Sequence, residues 1–258
     1  RCGLRLLALR SIMTEISSAV RSELAPGGKL RVGINFSNNL LTARDPVTRA
    51  PSGIALDLAH ELGRRLGVPV EIVSYESAGA LADSADKGAW EVAFLGAEPQ
   101  RANQIDFTAA YLELEAIYMV PPGSPIKTID EVDRKGVRVI TTAKAAYDLF
   151  LQRNLKNASL HHEANADAVF KTFVAEKMEV LAGLKSRIEI DHANLPGSRI
   201  LEGRFTAVQQ AVGTPKGHDA GARYLREFVE DAKASGLVAR VIEKNKIRGV
   251  SVAPKAAG

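Results

Sequence analysis

The sequence predicts an α/β protein of two similar lobes, each a mostly parallel sheet flanked by helices, connected by two extended crossings. Three observations carry that expectation. A strand, helix, strand succession occurs once on each side of Pro121-Pro122-Gly123, a natural lobe boundary. The strand segments are short apolar runs bounded by glycine, proline or polar residues. Segments of β character at Glu115–Val120 and Phe205–Val212 flank the second unit and supply the crossings.

In chain order, Ser11 to Leu24 reads as an amphipathic helix with Ile12, Ile16 and Val20 on one face. Pro26-Gly27-Gly28 breaks it, and Leu30-Arg31-Val32-Gly33-Ile34 reads as a buried strand. Ile54, Leu58, Leu62 and Leu66 recur every four residues and predict a helix, with a Glu61–Arg65 pair on its other face. Gly67 supplies the left-handed stop and Val70-Glu71-Ile72-Val73 the next strand, closing a right-handed βαβ unit. A short helix at Ala78–Lys87 and a strand at Trp90–Leu95 extend the sheet. The second unit has a strand at Val137-Arg138-Val139-Ile140, a helix at Ala145–Leu155, a short strand at Ser159-Leu160-His161, a helix at Ala166–Glu176 and a strand at Val180–Leu184. Two helices follow the second crossing, the first turning Tyr224, Leu225, Phe228 and Val229 inward, the second at Leu237–Lys246. The chain is thereby divided into an N-terminal extension with a helix (1–28), a discontinuous first lobe (29–116 and 206–250), a second lobe (117–205) and a tail (251–258). Open α/β sheets bind ligands at the carboxyl ends of their strands, so the site is expected in the cleft between the lobes.

With 46% hydrophobic and 25% charged residues among 258, the composition is that of a globular protein and excludes a disordered or disulfide-scaffold chain. A net charge of +4, from 34 basic and 30 acidic residues, argues against a nucleic-acid binder, which needs a basic face with stacking aromatics. Cys2 is alone and permits no intrachain disulfide or multi-cysteine metal site. No apolar run approaches the ~18 residues of a membrane span. Leu6-Leu7-Ala8-Leu9, between Arg5 and Arg10, is shorter than the ~7–15 residues of a signal core. Phosphate-cradling glycine loops and nucleophile elbows are absent, so no cofactor is expected. His161-His162-Glu163 is a poor metal set, because adjacent strand residues point to opposite faces. Asp130, Glu131 and Asp133 read as a polar segment feeding the strand at Val137.

The chemically suggestive stretch follows the strand at Trp90–Leu95. Glu98-Pro99-Gln100-Arg101 is succeeded by Asp106-Phe107-Thr108-Ala109-Ala110-Tyr111. A helix start with an arginine in its first turn brings N–H groups and a guanidinium to one point, which suits a carboxylate or phosphate. The stretch resembles the signature of type 2 periplasmic solute-binding proteins, in the polar amino-acid branch (solute-binding family 3). Gly53-Ile54-Ala55-Leu56-Asp57-Leu58-Ala59, Lys87-Gly88-Ala89-Trp90-Glu91-Val92, Gly136-Val137-Arg138-Val139 with Tyr147, and Ala232-Lys233-Ala234-Ser235-Gly236-Leu237 resemble further segments of that family in the same order. The likeness runs from Leu30 to Ile247.

The resemblance implies a two-lobed periplasmic-binding-protein-like type II fold with two crossing hinge strands. It implies the solute-binding component of an ABC-type uptake system, without catalysis of its own, closing on a small carboxylate-bearing solute (an amino acid or related organic acid). Arg101 is then the carboxylate ligand, helped by N–H groups of Leu95, Gly96, Thr142, Ala143 and Lys144. Asn35 falls at a position that holds the ammonium, Asn38 beside the ligand side chain, and Phe36 is a stacking candidate with core packing as the alternative. Lys144 is also a candidate second cation, and Gln209 or Gln210 lines the cleft or a solvated strand face. The chain departs from the family at Leu184, where an aspartate holds the ammonium, and at Gly96 and Glu98, where hydroxyl residues stand. The carboxylate clamp is expected to be retained and the ammonium clamp lost, with Glu98 the replacement anion if the local alignment shifts. The implied partner is an ABC permease, with no nucleic acid, the chain being a monomer or a dimer through its N-terminal helix. The resemblance implies the periplasm, while the lack of an evident signal peptide keeps a cytoplasmic location open. The alternatives are a dehydratase of prephenate or arogenate on the same scaffold, against which Leu184 stands, and a cytoplasmic ligand-sensing domain.

Overall fold

Helix α1 (Ser18–Leu24) is the first element of the computed structural model, which describes residues 16–247 and 250–257. Ser17 caps it, the hydroxyl accepting the Val20 N–H at 3.2 Å. The earlier part of the expected helix, with Ile12, lies outside the described residues, as does Cys2. Leu24 is fully buried, and the Glu23 carboxylate accepts the Gly221 N–H at 2.7 Å, which ties the helix to a distant part of the chain.

Strand β1 (Leu30–Asn35), the small hairpin of β2 (Ala43–Arg44) and β3 (Pro51–Ser52), helix α2 (Ile54–Leu66) and strand β4 (Val70–Tyr75) make the first unit, with β1 and β4 parallel. Ile54, Leu58, Leu62 and Leu66 are at most 1% exposed, because their spacing keeps them on the face turned to the sheet. Gly67, at φ 67°, ends α2 and returns its N–H to the Arg64 and Gly63 carbonyls. Helix α3 (Ala78–Ala82) is shorter than expected, and β5 (Val92–Gly96) starts after Trp90, whose buried indole donates to Ser84 Oγ at 2.9 Å.

Arg101–Asn103 is a single 3₁₀ turn, where a helix start was expected, and the chain passes straight into β6 (Ile105–Val120). The expected crossing at Glu115–Val120 is only the end of this 16-residue strand, because pairing with the return strand recruits the residues before it. The second unit comprises β7 (Arg138–Thr142), α4 (Ala146–Asn154), β8 (Ser159–Glu163), α5 (Ala166–Ala175) and β9 (Val180–Leu184). Helix α6 (Lys185–Ala193) follows without an apolar stripe to announce it: Ile188 is buried while Ile190 is 59% exposed. Strands β10 (Arg199–Ile200) and β11 (Thr206–Pro215), helices α7 (Asp219–Ala234) and α8 (Leu237–Lys244), and strand β12 (Val250–Val252) complete the chain.

One sheet runs through both lobes in the order β4-β1-β5-β11-β6-β9-β7-β8, with β10 and β12 also paired to β6. β4, β1 and β5 are mutually parallel, as are β9, β7 and β8. β11 runs antiparallel to β5 and β6, and β6 antiparallel to β9, so the lobes are joined through this strand pair. Period-2 alternation sorts the continuation of β6 onto two cores: Tyr118 and Val120 pack with Val139 and Leu151, Ile117 and Met119 with Phe173 and Ile188. The polar segment before β7 is anchored by Asp133, whose carboxylate accepts the N–H groups of Lys156, Asn157 and Ala158.

The lobes touch at two glycines. A Cβ on Gly96 would lie 2.9 Å from the Ala146 Cβ of α4 and 3.0 Å from Val208. A Cβ on Gly79 would lie 2.8 Å from the side chain of Lys144, whose Nζ reaches Asp83 at 2.6 Å. Gly96→Val therefore holds the lobes apart at Ala146. Small-angle scattering should show a larger radius of gyration with an unchanged circular dichroism spectrum, and an unaltered radius would refute the contact.

Glu61 gives a pH test of the first lobe. Bonds from Arg64 and then Arg65 pull its carboxyl down to about 2, from an ordinary value near 4.5. A native value below the unfolded one adds stability that is fully present above pH 4.5 and is lost as pH falls toward 2. Glu61→Gln should lower the stability measured by urea unfolding at neutral pH and flatten its decline across that acid window.

Candidate functional site

A cavity of about 530 Å³ lies between the lobes, at the carboxyl ends of β1, β5, β7 and β9. On the first-lobe side, β1 ends at Asn35 and the chain turns back on its own side chains. Asn35 Oδ1 accepts from the Ser37 backbone N–H at 2.9 Å and the Ser37 hydroxyl at 2.8 Å. Asn38 Oδ1 accepts the Leu40 N–H at 3.2 Å, and the Thr42 hydroxyl donates to the carbonyls of Asn35 and Asn38. Such side-chain turns replace the ladder bonds the backbone gives up on leaving a strand.

Arg101, 6% exposed, is set by the 3₁₀ turn after β5. Its Nη1 donates to the Gly96 carbonyl at 2.7 Å and its Nη2 to the Lys144 carbonyl at 2.8 Å, so one guanidinium joins the two lobes. Burial pushes it down to about 10, opposed by the carboxylates of Glu98 and Asp83, and it stays cationic at neutral pH. Of the five N–H donors of a guanidinium two are spent on these carbonyls, and the Arg101 side chain makes no other hydrogen bond among the described residues.

Gln210 of β11 stands opposite Gly96, beside a slip in the β11–β6 register between Gln210 and Ala211. Bulges of this kind re-aim side chains near binding sites. Gln210 is 5% exposed, lines the cavity and makes no side-chain hydrogen bond among the described residues. Its neighbour Gln209 takes the other face and donates to Glu113 at 3.1 Å.

The second lobe contributes Thr142 and Ala143 from the end of β7, Leu184 from the end of β9, and the starts of α4, α5 and α6. Arg187 of α6 donates from Nε to Asp191 at 2.9 Å and from Nη1 to Asp167 of α5 at 2.6 Å, and all three line the cavity. Asp191 is 2% exposed; burial raises its carboxyl above the usual range while Arg187 opposes the rise.

The structure thus brings Asn35, Asn38, Leu95, Gly96, Arg101, Thr142, Ala143 and Leu184 to one cavity. It removes three other candidates from the wall. Glu98 turns to Arg153 of α4 at 2.5 Å, so it does not replace the anion missing at Leu184. Phe36 lies under the Arg44 guanidinium, 3.8 Å from ring centroid to Cζ, and does not stack in the cleft. Lys144 adopts φ 58° and sends its ammonium to Asp83, so it is no second cation for the ligand. Two expected donors are also occupied: the Lys144 N–H by Asp148 Oδ2 at 2.8 Å and the Ala143 N–H by the Glu163 carbonyl at 2.9 Å. Sequence reasoning missed Arg187, Asp191 and Asp167. The available signal was the i, i+4 spacing of Arg187 and Asp191 directly after a strand end, hidden because α6 lacks an apolar stripe.

Comparison with known proteins agrees with this architecture. The model of the bacterial extracellular solute-binding proteins, family 3, matches residues 30–246. Cyclohexadienyl dehydratase of Pseudomonas aeruginosa is 23% identical over 206 residues, 74% of this chain and 73% of the relative. A mutant of ArgBP from T. maritima has a similar structure, with a TM-score of 0.71 at 19% identity, over 88% of this chain and 99% of that one. An ancestral amino acid-binding protein described as a precursor of cyclohexadienyl dehydratase gives 0.70 at 19% identity, over 89% and 99%. These structures share the two-lobed type II periplasmic-binding fold. Matched over residues 30–246, the chain belongs to the bacterial extracellular solute-binding proteins, family 3.

Proposed function

We propose that the chain is the solute-binding component of an ABC-type uptake system in the periplasm, closing its lobes on a small carboxylate-bearing solute and delivering it to a permease. The observation that carries this reading is Arg101, a buried cation on the cleft wall with donors to spare. A buried guanidinium is costly to desolvate, and a carboxylate on its remaining N–H groups offsets that cost. Because the guanidinium already spans the lobes, an anion bound to it favours closure, which is how a solute shifts such an equilibrium. Leu184, Val208 and Phe94 give the cavity an apolar part for the body of the solute.

A second reading, dehydration of a cyclohexadienyl acid, is favoured by Asp191. It is a buried carboxyl on the cleft wall whose protonated form burial favours, the property a general acid for a leaving hydroxyl needs. It also fits the catalytic relative.

Isothermal titration with amino acids and small organic acids should find a ligand, and Arg101→Ala should weaken it by about a hundredfold or more, the usual loss for a buried charge-assisted pair. A carboxylate ligand bound equally well by Arg101→Ala would refute the assignment. Incubation with prephenate tests the second reading: phenylpyruvate formation that is lost in Asp191→Asn would replace transport by catalysis.

A further inference from the structure

On the first-lobe wall of the cleft two amides are oriented to present donors, and none of the lining residues there is acidic. Asn35 Oδ1 accepts from the backbone N–H of Ser37, and a backbone N–H can only donate, so the amide is oriented with Oδ1 toward the turn and Nδ2 as its remaining polar group. The Ser37 hydroxyl fills the second lone pair of the same oxygen at 2.8 Å. Asn38 is oriented in the same way by the Leu40 N–H, leaving its Nδ2 as a donor. Arg101 adds further N–H groups, and Gln210, with no partner among the described residues, can present either end of its amide. Leu184 faces this wall from the other lobe with hydrocarbon.

From this arrangement we infer that the solute is a small organic acid whose second polar group is an acceptor oxygen, as in an α-keto or dicarboxylic acid, rather than an α-amino acid. The inference rests on the solute-binding reading above and narrows its ligand. Asn35, Asn38 and Arg101 line the same cavity, so a solute whose carboxylate is on Arg101 can carry a keto or carboxylate oxygen to the Nδ2 donors of Asn35 and Asn38. An ammonium beside Asn35 and Asn38 meets donors like itself and, among the first-lobe lining residues, no carboxylate. The two carboxylates that line the cavity, Asp167 and Asp191, are on the second lobe, and each is engaged by Arg187.

The test uses the intact chain and matched pairs in titration calorimetry and thermal unfolding: pyruvate against alanine, oxaloacetate against aspartate, phenylpyruvate against phenylalanine, with succinate added. The keto or dicarboxylic member should bind at least about tenfold more tightly than its amino counterpart, and α-keto acids are separated from dicarboxylic acids by comparing pyruvate and phenylpyruvate with succinate. Asn35→Asp keeps the turn, because a carboxylate accepts the Ser37 N–H equally well, and supplies an anion. It should shrink or invert the preference by about tenfold, with Asn38→Asp as the second variant should the first fail to fold. Tighter binding of an amino acid by the unmodified chain, lost in Arg101→Ala, overturns this inference and leaves the solute-binding reading standing. Unchanged preference in folded Asn35→Asp also overturns it. Binding of neither class overturns the solute-binding reading together with it.

Discussion

A single guanidinium donates to the Gly96 carbonyl in one lobe and the Lys144 carbonyl in the other, and most of the cleft's geometry follows from that double contact. The Lys144 carbonyl points at Arg101 because its residue sits at φ 58°, a left-handed backbone that costs a non-glycine residue about 1–2 kcal/mol. Three bonds hold the residue there: its N–H on Asp148, its carbonyl on Arg101 and its ammonium on Asp83. Asp148 is itself fully buried and further satisfied by Gln152 and His162, so the turn is fixed from behind. Gly96 completes the arrangement, since any side chain there meets Ala146 before the guanidinium could reach across.

The ion pairs that cross between the lobes add specificity of position more than stability. Lys144–Asp83 is more than half exposed on both partners, and such pairs contribute about 0–1 kcal/mol. Glu98–Arg153 is more enclosed, but burial raises the Glu98 carboxyl, so its attraction to Arg153 is partly cancelled by lost hydration. The sheet imposes a complementary constraint: β6 and β11 carry the hydrogen-bonded connection between lobes, and their conformation bounds how the cleft can open. Beside that connection the bulge next to Gln210 commits a neutral amide to the cavity.

Elements were legible in the sequence where one physical signal dominated. The four-residue recurrence in α2 placed Ile54, Leu58, Leu62 and Leu66 in the core and Gly67 at its stop. The Glu61–Arg65 pair forms as its spacing required, with Arg64 joining it. Signals failed where tertiary pairing overrode local preference. Arg101 looked like a helix start, yet the partner strand β11 draws the chain into β6 from Ile105 onward. Helix α6 was invisible because its cavity-facing residues, Arg187 and Asp191, are charged and satisfy each other.

By itself the sequence determined the two α/β lobes and their strand and helix grammar, because periodicity and turn chemistry are local properties of a chain; the resemblance to the family pointed to Arg101 in the cleft. The resemblance also pointed to Leu184, which lines that cavity. Only the tertiary structure decided which polar groups remain available there. Glu98 and Lys144 are consumed by Arg153 and Asp83 across the lobe contact, and the oxygens of Asn35 and Asn38 are turned toward their own backbone. Hydrogen-bonding capacity is spent on whichever partner lies within about 3 Å, and residues distant in sequence meet at that range only through the fold.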